Sequence, residues 1–342
     1  KIHPDKKTIS GFCHTRNWVE RKYFFHLVFD QSYSSIEELE PKPKENAPKF
    51  FIKFDLPDKQ LNVKVALSTV SESGALSNME AELPHWDFQK TMDNAQQTWN
   101  EYLNKIEIEA DTKQKRIFYT ALYHLFLQPS NIADVDGKYR GANDQIATAP
   151  NGEYYSTFSL WDTYRAAHPL YTLLVPERVN GFINSMLAHH KAQGYLPIWT
   201  IWGQENHCMI GNHSIPVIVD AYMKGFDGFD FNEALDAVVV SSTESHLNSD
   251  WDLYNTYGYY PIDSLDNEAV SRTLESGFDD YAISIMAKDM GMDSIANIFA
   301  ERSRYYENLF DHETGLMRGK DSKGKFRTPF KPLEATSPMN NP

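Results

Sequence analysis

The hydrophobic pattern changes period once along the chain, and that single change limits the fold more than any other feature. Up to about residue 70 the segments are short and partly alternating: "KYFFHLVFD" at 22–30, "KFFIKFDL" at 49–56 and "LNVKVALSTV" at 61–70. Such stretches, rich in aromatic and β-branched residues, predict strands of an antiparallel sheet. The Pro- and charge-rich "EELEPKPKENAPK" at 37–49 reads as a connector between them. Beyond about residue 70 the spacing turns helical. "SGALSNMEAEL" and "WDFQKTMDNAQQTWNEYLNKI" place apolar residues three and four apart, with Trp86, Phe88, Trp99, Leu103 and Ile106 available to one side of a linking helix.

After Asp111 about seven helical segments follow, at 113–127, 160–174, 177–193, 209–224, 232–246, 267–290 and 293–310. Strands and helices do not alternate, which excludes a parallel α/β sheet, and no period of roughly 20–50 residues marks a solenoid. The expected architecture is a small β-domain joined by a helix to an all-α domain with large loops. A chain of 342 residues is long enough for two domains.

Charge narrows the partners. Asp and Glu outnumber Lys and Arg by 47 to 33, and the basic residues are scattered, so a phosphate backbone is repelled and nucleic acid is a poor partner. No stretch approaches the roughly 20 apolar residues of a membrane-spanning helix. Cys13 and Cys208 lie far apart and outside any metal-ligand spacing. Aromatic residues make 13% of the chain, which suits either a large helical core or ring-lined surfaces for sugar faces.

Two segments carry polar groups that a plain core does not need. In "STFSLWDTYRAAHPL", Ser159 and Asp162 have the spacing of a capping box, while Asp162 and Arg165 share a helix face beside Trp161. A carboxylate, a guanidinium and an indole at one helix mouth can also grip a sugar, the charged groups taking paired hydroxyls and the ring stacking on its apolar face. Capping and binding are compatible. In "LPIWTIWGQENHCMIGNH", Glu205 sits where a tryptophan-rich loop is expected to meet a helix. The helix dipole there would favour its ionised form, whereas desolvation by Trp199 and Trp202 would raise its pKa. His207 and His213 are six apart, a spacing that favours core or hydrogen-bonding roles over shared metal ligation. Asn212-His213-Ser214 matches a glycosylation sequon at the start of an apolar helix, a poor place for a surface glycan. "ADVDGKYRG" lacks most calcium-loop positions and reads as a tight turn. Glu275, Asp279 and Asp280 fall on nearby turns of one long helix, where solvated carboxylates are the default.

Taken in order, "FYTALYH", "DGKYRG", "FSLWDTYRAAHPL", "GYLPIWTIWGQENHCMIGNHSIPVIVDAYMKG", "SRTLESGFDDYAISIMAKDMG", "RSRYYENLFDHETGLMRGK" and "PFKP" resemble glycoside hydrolase family 92, the calcium-dependent exo-acting α-mannosidases. "GFCHTRNWVERKYFFHLVFD" resembles that family's N-terminal β-domain, so the likeness spans nearly the whole chain. The resemblance implies a partial antiparallel β-sandwich over 1–84, a linker helix over 85–111 and the N-terminal part of an (α/α)6 barrel over 112–342. It implies that Glu205, in the Gly-x-Glu motif, is the general acid and that Trp161 and Asp162 bind the terminal mannose. It extends the expected substrate contacts to Arg165, Trp202, Gln204 and His213.

The family's reaction proceeds with inversion, for which an acid and a base carboxyl stand about 6.5–9.5 Å apart to admit a water. Calcium is the implied cofactor, a hard cation suited to two sugar hydroxyls and the attacking water. The motif carrying the base and part of the calcium site has no match here. The chain therefore reads as an internal piece that needs the remainder of its own polypeptide, with metal ligands largely elsewhere. The implied partner is a mannose-containing glycan, α-1,2-linked in the first instance, and the implied location is periplasmic, secreted or at the cell surface. Two other classes fit the residues alone: a different inverting (α/α)6 glycosidase acting on glucosides, and a non-catalytic carbohydrate-binding remnant.

Overall fold

The computed structural model describes residues 1–40, 48–149, 151–247, 249–265 and 267–333. Most of the expected connector, and the final "EATSPMNNP", lie outside the described residues. Strands at the N-terminus are followed by helices, and the chain divides into two compact units: 1–140 with 145–154, and 141–144 with 155–342.

In the first unit, β1 (Thr8–Arg16), β2 (Glu20–Phe29) and β5 (Val63–Ser68) form an antiparallel sheet in the order β1-β2-β5. β3 (Ser35–Leu39) pairs separately with β4 (Lys49–Lys53). The register sets Gly11 opposite Phe25, Phe25 opposite Leu67, and Leu27 opposite Val65, so these side chains share a face. Val65 and Leu67 are exposed there, while Lys64, Ser68, His26 and Ser10 are buried on the other face. This reverses the usual apolar-in alternation. The polar face is covered by α1 (Glu72–Glu82): Ser10 Oγ donates to Glu72, and Lys64 Nζ reaches the Leu83 carbonyl at 2.8 Å. Below them Asp134 accepts from Ser68 Oγ at 2.7 Å and Asn78 Nδ2 at 2.9 Å, and burial raises its pKa. "ADVDGKYRG" is the expected tight turn, closed by Gly137 N–H on the Asp134 carbonyl with Gly137 at φ 79. Two further helices complete the unit, α2 (Phe88–Leu103) and α3 (Thr112–Leu125), the latter opened by an Asp111–Gln114 capping box.

The second unit is helical: α4 (Leu160–Thr163), α5 (Ala167–Leu174), α6 (Pro176–Gln193), α7 (Ser214–Met223), α8 (Phe231–Ser241), α9 (Trp251–Tyr257), α10 (Ala269–Asp289) and α11 (Asp293–Arg302). Four expected helices are shorter than their apolar pattern; those expected over 232–246 and 293–310 stop at Ser241 and Arg302. The one predicted over 160–174 breaks after Thr163, because the Pro169 ring would collide with the Arg165 carbonyl in a continuous helix. The one predicted over 209–224 starts only at Ser214, since Met209 and Gly211 have left-handed φ of 70 and 75. α9 was not expected, although Asp250 caps its start and left-handed Gly258 ends it.

α10 organises the unit. It packs against α7, α8 and α11, and small residues on it permit close approach. A Cβ on Gly277 would stand 3.0 Å from the Ser303 carbonyl oxygen. Asp279 and Asp280, expected to be solvated, are 1% and 0% exposed. Each is held by a cation: Asp280 by Arg302 at 3.1 and 3.2 Å, and Asp279 by His213 at 2.8 Å. No described helix is long and apolar enough to cross a membrane.

Candidate functional site

Both polar segments singled out in the sequence fall in the helical unit, and their backbones are stitched together. Ser159 and Trp199 form an isolated antiparallel bridge, Thr200 N–H donates to the Phe158 carbonyl at 3.0 Å, and Gly203 N–H donates to Ser156 Oγ at 2.7 Å. "STFS" and "WTIWG" therefore form one small platform, with Trp202 within it and Trp161 two residues beyond Ser159.

The loop that carries Glu205 turns back on itself as a two-residue hairpin, Thr200–Ile201 against Gln204–Glu205. The turn places Trp202 at φ 51 and Gly203 at φ 81, and His207 and Met209 follow at φ 57 and 70. Left-handed conformations on three non-glycine residues cost of order 1 kcal/mol each and persist only where the surroundings enforce them. Glu205 supplies one of the contacts that do so, at His207. Its carboxylate accepts the backbone N–H of Ile198 at 2.7 Å, Trp199 at 2.9 Å, Asn206 at 3.0 Å and His207 at 2.8 Å. Its side chain is 2% exposed, and the His189 ring, 1% exposed, lies 4.0 Å away.

The expectation that a helix dipole acts on Glu205 is corrected here. The residue belongs to the hairpin, and α7 begins only at Ser214, so individual loop amides take the place of a helix end. Burial raises the Glu205 pKa above the ordinary carboxylate value, and the four amide hydrogen bonds oppose that rise. Both oxygens are committed to the loop's own backbone.

A partly accessible carboxylate is Glu275, with a side chain 17% exposed. It stands one helical turn before Asp279 on α10, and His213 fits between them. Nδ1 of His213 lies 2.8 Å from Asp279 Oδ1, and Nε2 lies 3.0 Å from Glu275 Oε2, the latter a close ion-pair contact outside good hydrogen-bond alignment. The Tyr164 ring stacks on the imidazole at 4.0 Å and 17°, and its hydroxyl lies 3.4 Å from Glu275 Oε2. Arg165 donates to Glu275 Oε1 at 3.2 Å and to the Trp161 carbonyl at 2.8 Å, its guanidinium lying over the Trp161 and Tyr164 rings at 4.8 and 4.4 Å.

Burial alone would lower the His213 pKa, but Asp279 and then Glu275 overcome it and lift the imidazole to about 9. Burial pushes Glu275 upward, yet His213 and Arg165 hold its carboxyl below the ordinary value. A histidine whose folded pKa exceeds its unfolded value of 6.5 contributes stability that is complete below pH 6.5 and lost as pH rises through 9. Unfolding free energy should therefore fall by about 3 kcal/mol across that window on account of His213. Urea titrations at several pH values check this, and the slope should flatten in a His213→Gln variant.

The remaining expected residues fall as follows. Trp161 is half-buried on α4, and Asp162 is exposed and accepts the Ser159 hydroxyl in a very short hydrogen bond. Ser159 thus spends its hydroxyl on Asp162 and makes no side-chain cap to the helix amides. Asp162 and Arg165 do not pair, since Arg165 turns to Glu275. Trp202 and Gln204 are half-buried on the hairpin, and His213 is 1% exposed. Sequence reading underrated Glu275 and passed over Tyr164. The usable signal was the four-residue spacing of Glu275 and Asp279 beside Ser276 and Gly277, small residues that mark a buried helix face.

Among the described residues no group of three or more His, Cys, Asp or Glu side chains could hold a metal ion. The clustered carboxylates Glu275 and Asp279 are already neutralised by His213 and Arg165, so these residues do not fit calcium.

Residues 74–341 match the glycosyl hydrolase family 92 catalytic domain. The chain belongs to that family. A family GH92 α-mannosidase from Bacteroides thetaiotaomicron superposes with a TM-score of 0.90 at 35% identity, covering 97% of this chain and 47% of the other. A GH92 inverting mannosidase from the same organism gives 0.89 at 28% identity, over 98% and 48%. An uncharacterized secreted glycosidase from Arthroderma benhamiae is 25% identical over 285 residues, which are 77% of this chain and 32% of the relative. The family 92 chain thus spans about half the length of its solved relatives and about a third of the curated one.

Proposed function

We propose that the whole protein containing this chain is an exo-acting glycoside hydrolase that removes α-linked mannose, α-1,2-linked in the first instance, with inversion. The observation that carries this reading is the Trp161–Arg165–Glu275 group: an indole, a guanidinium and a partly exposed carboxylate, beside exposed Asp162. Rings for an apolar sugar face and charged groups for paired hydroxyls are the chemistry a pyranose demands. The solved relatives support mannose as the sugar, since one is an inverting mannosidase and another was obtained in complex with mannoimidazole.

In this reading Trp161, Asp162 and Arg165 contact the sugar directly. Trp202 and Gln204 contribute from the hairpin, and His213 acts from behind Glu275. Glu205 fixes the hairpin, in place of the acid role that the Gly-x-Glu motif implied. The base carboxyl, whose motif has no match here, comes from another part of the whole protein.

The helical unit is read as the N-terminal part of an (α/α)6 barrel and the strand unit as part of a β-sandwich. The half-exposed face of Phe25, Leu27, Val65 and Leu67 supports the second assignment, because an apolar sheet face calls for another layer. Calcium, if used, takes its ligands outside these residues. A secreted, periplasmic or cell-surface location follows from the glycan substrate and from the relative named as secreted.

A panel of aryl glycosides tests the reading: the whole protein should hydrolyse α-mannosides and leave α-glucosides and β-mannosides intact. Preference for an α-glucoside would replace mannose with glucose in the account. Incubation with a calcium chelator should reduce turnover at least tenfold and added calcium should restore it; full activity in chelator would remove the metal.

A further inference from the structure

One arrangement in the helical unit links a buried ion pair to an exposed arginine. Asp279, His213, Glu275 and Arg165 form a chain of alternating charge, with successive contacts of 2.8, 3.0 and 3.2 Å. It runs from the interior to the surface: the side chains of Asp279 and His213 are 1% exposed, that of Glu275 is 17% and that of Arg165 is 47%. The buried end is immobile, since Asp279 also accepts the Asn212 N–H at 2.8 Å and Tyr164 lies flat on the imidazole. A surface arginine ordinarily samples many rotamers, and ordering it costs on the order of 1.5–2 kcal/mol. Here the cost is met before any ligand arrives, by Glu275, the Trp161 carbonyl and two aromatic rings.

We propose that Glu275 is a positioning residue for the substrate, acting through Arg165. Held by the His213–Asp279 pair, it fixes the guanidinium over Trp161, so that the donors left over meet two neighbouring hydroxyls of a pyranose. Two of the five N–H donors of Arg165 are taken by the described residues, by Glu275 and by the Trp161 carbonyl. Planar paired donors discriminate hydroxyl geometry, so this group favours one arrangement of vicinal hydroxyls over its epimer. The assignment rests on the sugar-binding reading given above, and it adds the residue that orients the binding arginine.

A double-mutant cycle on the whole protein tests it, with KM and kcat measured on an aryl α-mannoside. Glu275→Gln should raise KM about tenfold while leaving kcat within about threefold, as expected for lost pre-organisation in the bound ground state. In an Arg165→Ala background the same change should alter KM less than about twofold, because the group it positions is gone. Equal effects of Glu275→Gln in both backgrounds would overturn the proposal, since Glu275 would then act on something other than Arg165. If Glu275→Gln does not fold, Glu275→Asp completes the same cycle and is judged by the same coupling. A wild-type protein that turns over no α-mannoside would overturn the functional reading itself, an outcome distinct from additive effects in an active enzyme.

Discussion

Replacing Glu205 by Gln should destabilise the protein by about 3 kcal/mol, well beyond what loss of a solvent-facing acid would do. The carboxylate offers two oxygens to four backbone N–H groups, all between 2.7 and 3.0 Å. Glutamine offers one oxygen and turns an amide N–H2 toward the other donors. Hydrogen bonds to a charged group are worth about 1.5–3 kcal/mol each, and a buried donor left without a partner adds its desolvation cost. The loop would also lose one of the contacts that hold His207 at its left-handed φ. Thermal and urea unfolding of Glu205→Gln beside the wild type measures this. If stability were unchanged and only turnover collapsed, Glu205 would be the proton donor after all. The two roles are separated by the unfolding curve, which an acid catalyst has no reason to move.

A second large effect is expected at Arg302. Its guanidinium is bidentate to Asp280 and lies over Phe299, Trp251 and Tyr254 at 4.8, 5.3 and 5.5 Å. Burial, reinforced by neighbouring Asp279, pushes the Asp280 carboxyl up to about 7 even with Arg302 opposing the rise. Arg302→Met keeps the volume and removes the charge, leaving a fully buried carboxylate unpaired. The expected loss is about 3–5 kcal/mol at neutral pH.

The sign with pH follows from the direction of the shift. An acid whose folded pKa stands above its unfolded value of 3.8 costs stability as pH rises through that range. The variant should therefore be measurably closer to wild type at pH 5 than at pH 8. Adding Asp280→Leu should recover most of the loss, because a well-packed apolar pair can replace a buried ion pair at little cost. Urea midpoints of the wild type, single and double variants give the comparison, and a single variant within about 0.5 kcal/mol of wild type would show the pair to be dispensable.

The order of elements was legible because periodicity is local. Strands at 22–30, 49–56 and 61–70, and most helices after Asp111, fall close to their expected places. What the pattern could not report is backbone conformation inside apolar runs. Met209 and Gly211 sit within a stretch that looks helical by spacing, and only the observed left-handed angles separate loop from α7. Pro169 was a visible breaker whose consequence, the split between α4 and α5, was not drawn from it.

Polarity misled in a related way. Asp279 and Asp280 look solvated in a one-dimensional reading because their cations, His213 and Arg302, lie 66 and 22 residues away. The reversed sheet faces of the strand unit show the same limit, since alternation reveals two faces without saying which one α1 covers. At the site, both segments were visible in the sequence, while the contacts their side chains make were not. Glu205 carried the motif, whereas its burial and four amide partners are three-dimensional facts. Glu275 had no motif to recommend it, and its importance lies in the neighbours it joins.

The most direct measurement is proton NMR of the sugar first released when the whole protein hydrolyses an aryl α-mannoside. β-Mannose is the expected initial product, equilibrating afterwards to the α anomer. Initial release of α-mannose, or turnover of α-glucosides with α-mannosides untouched, would contradict it.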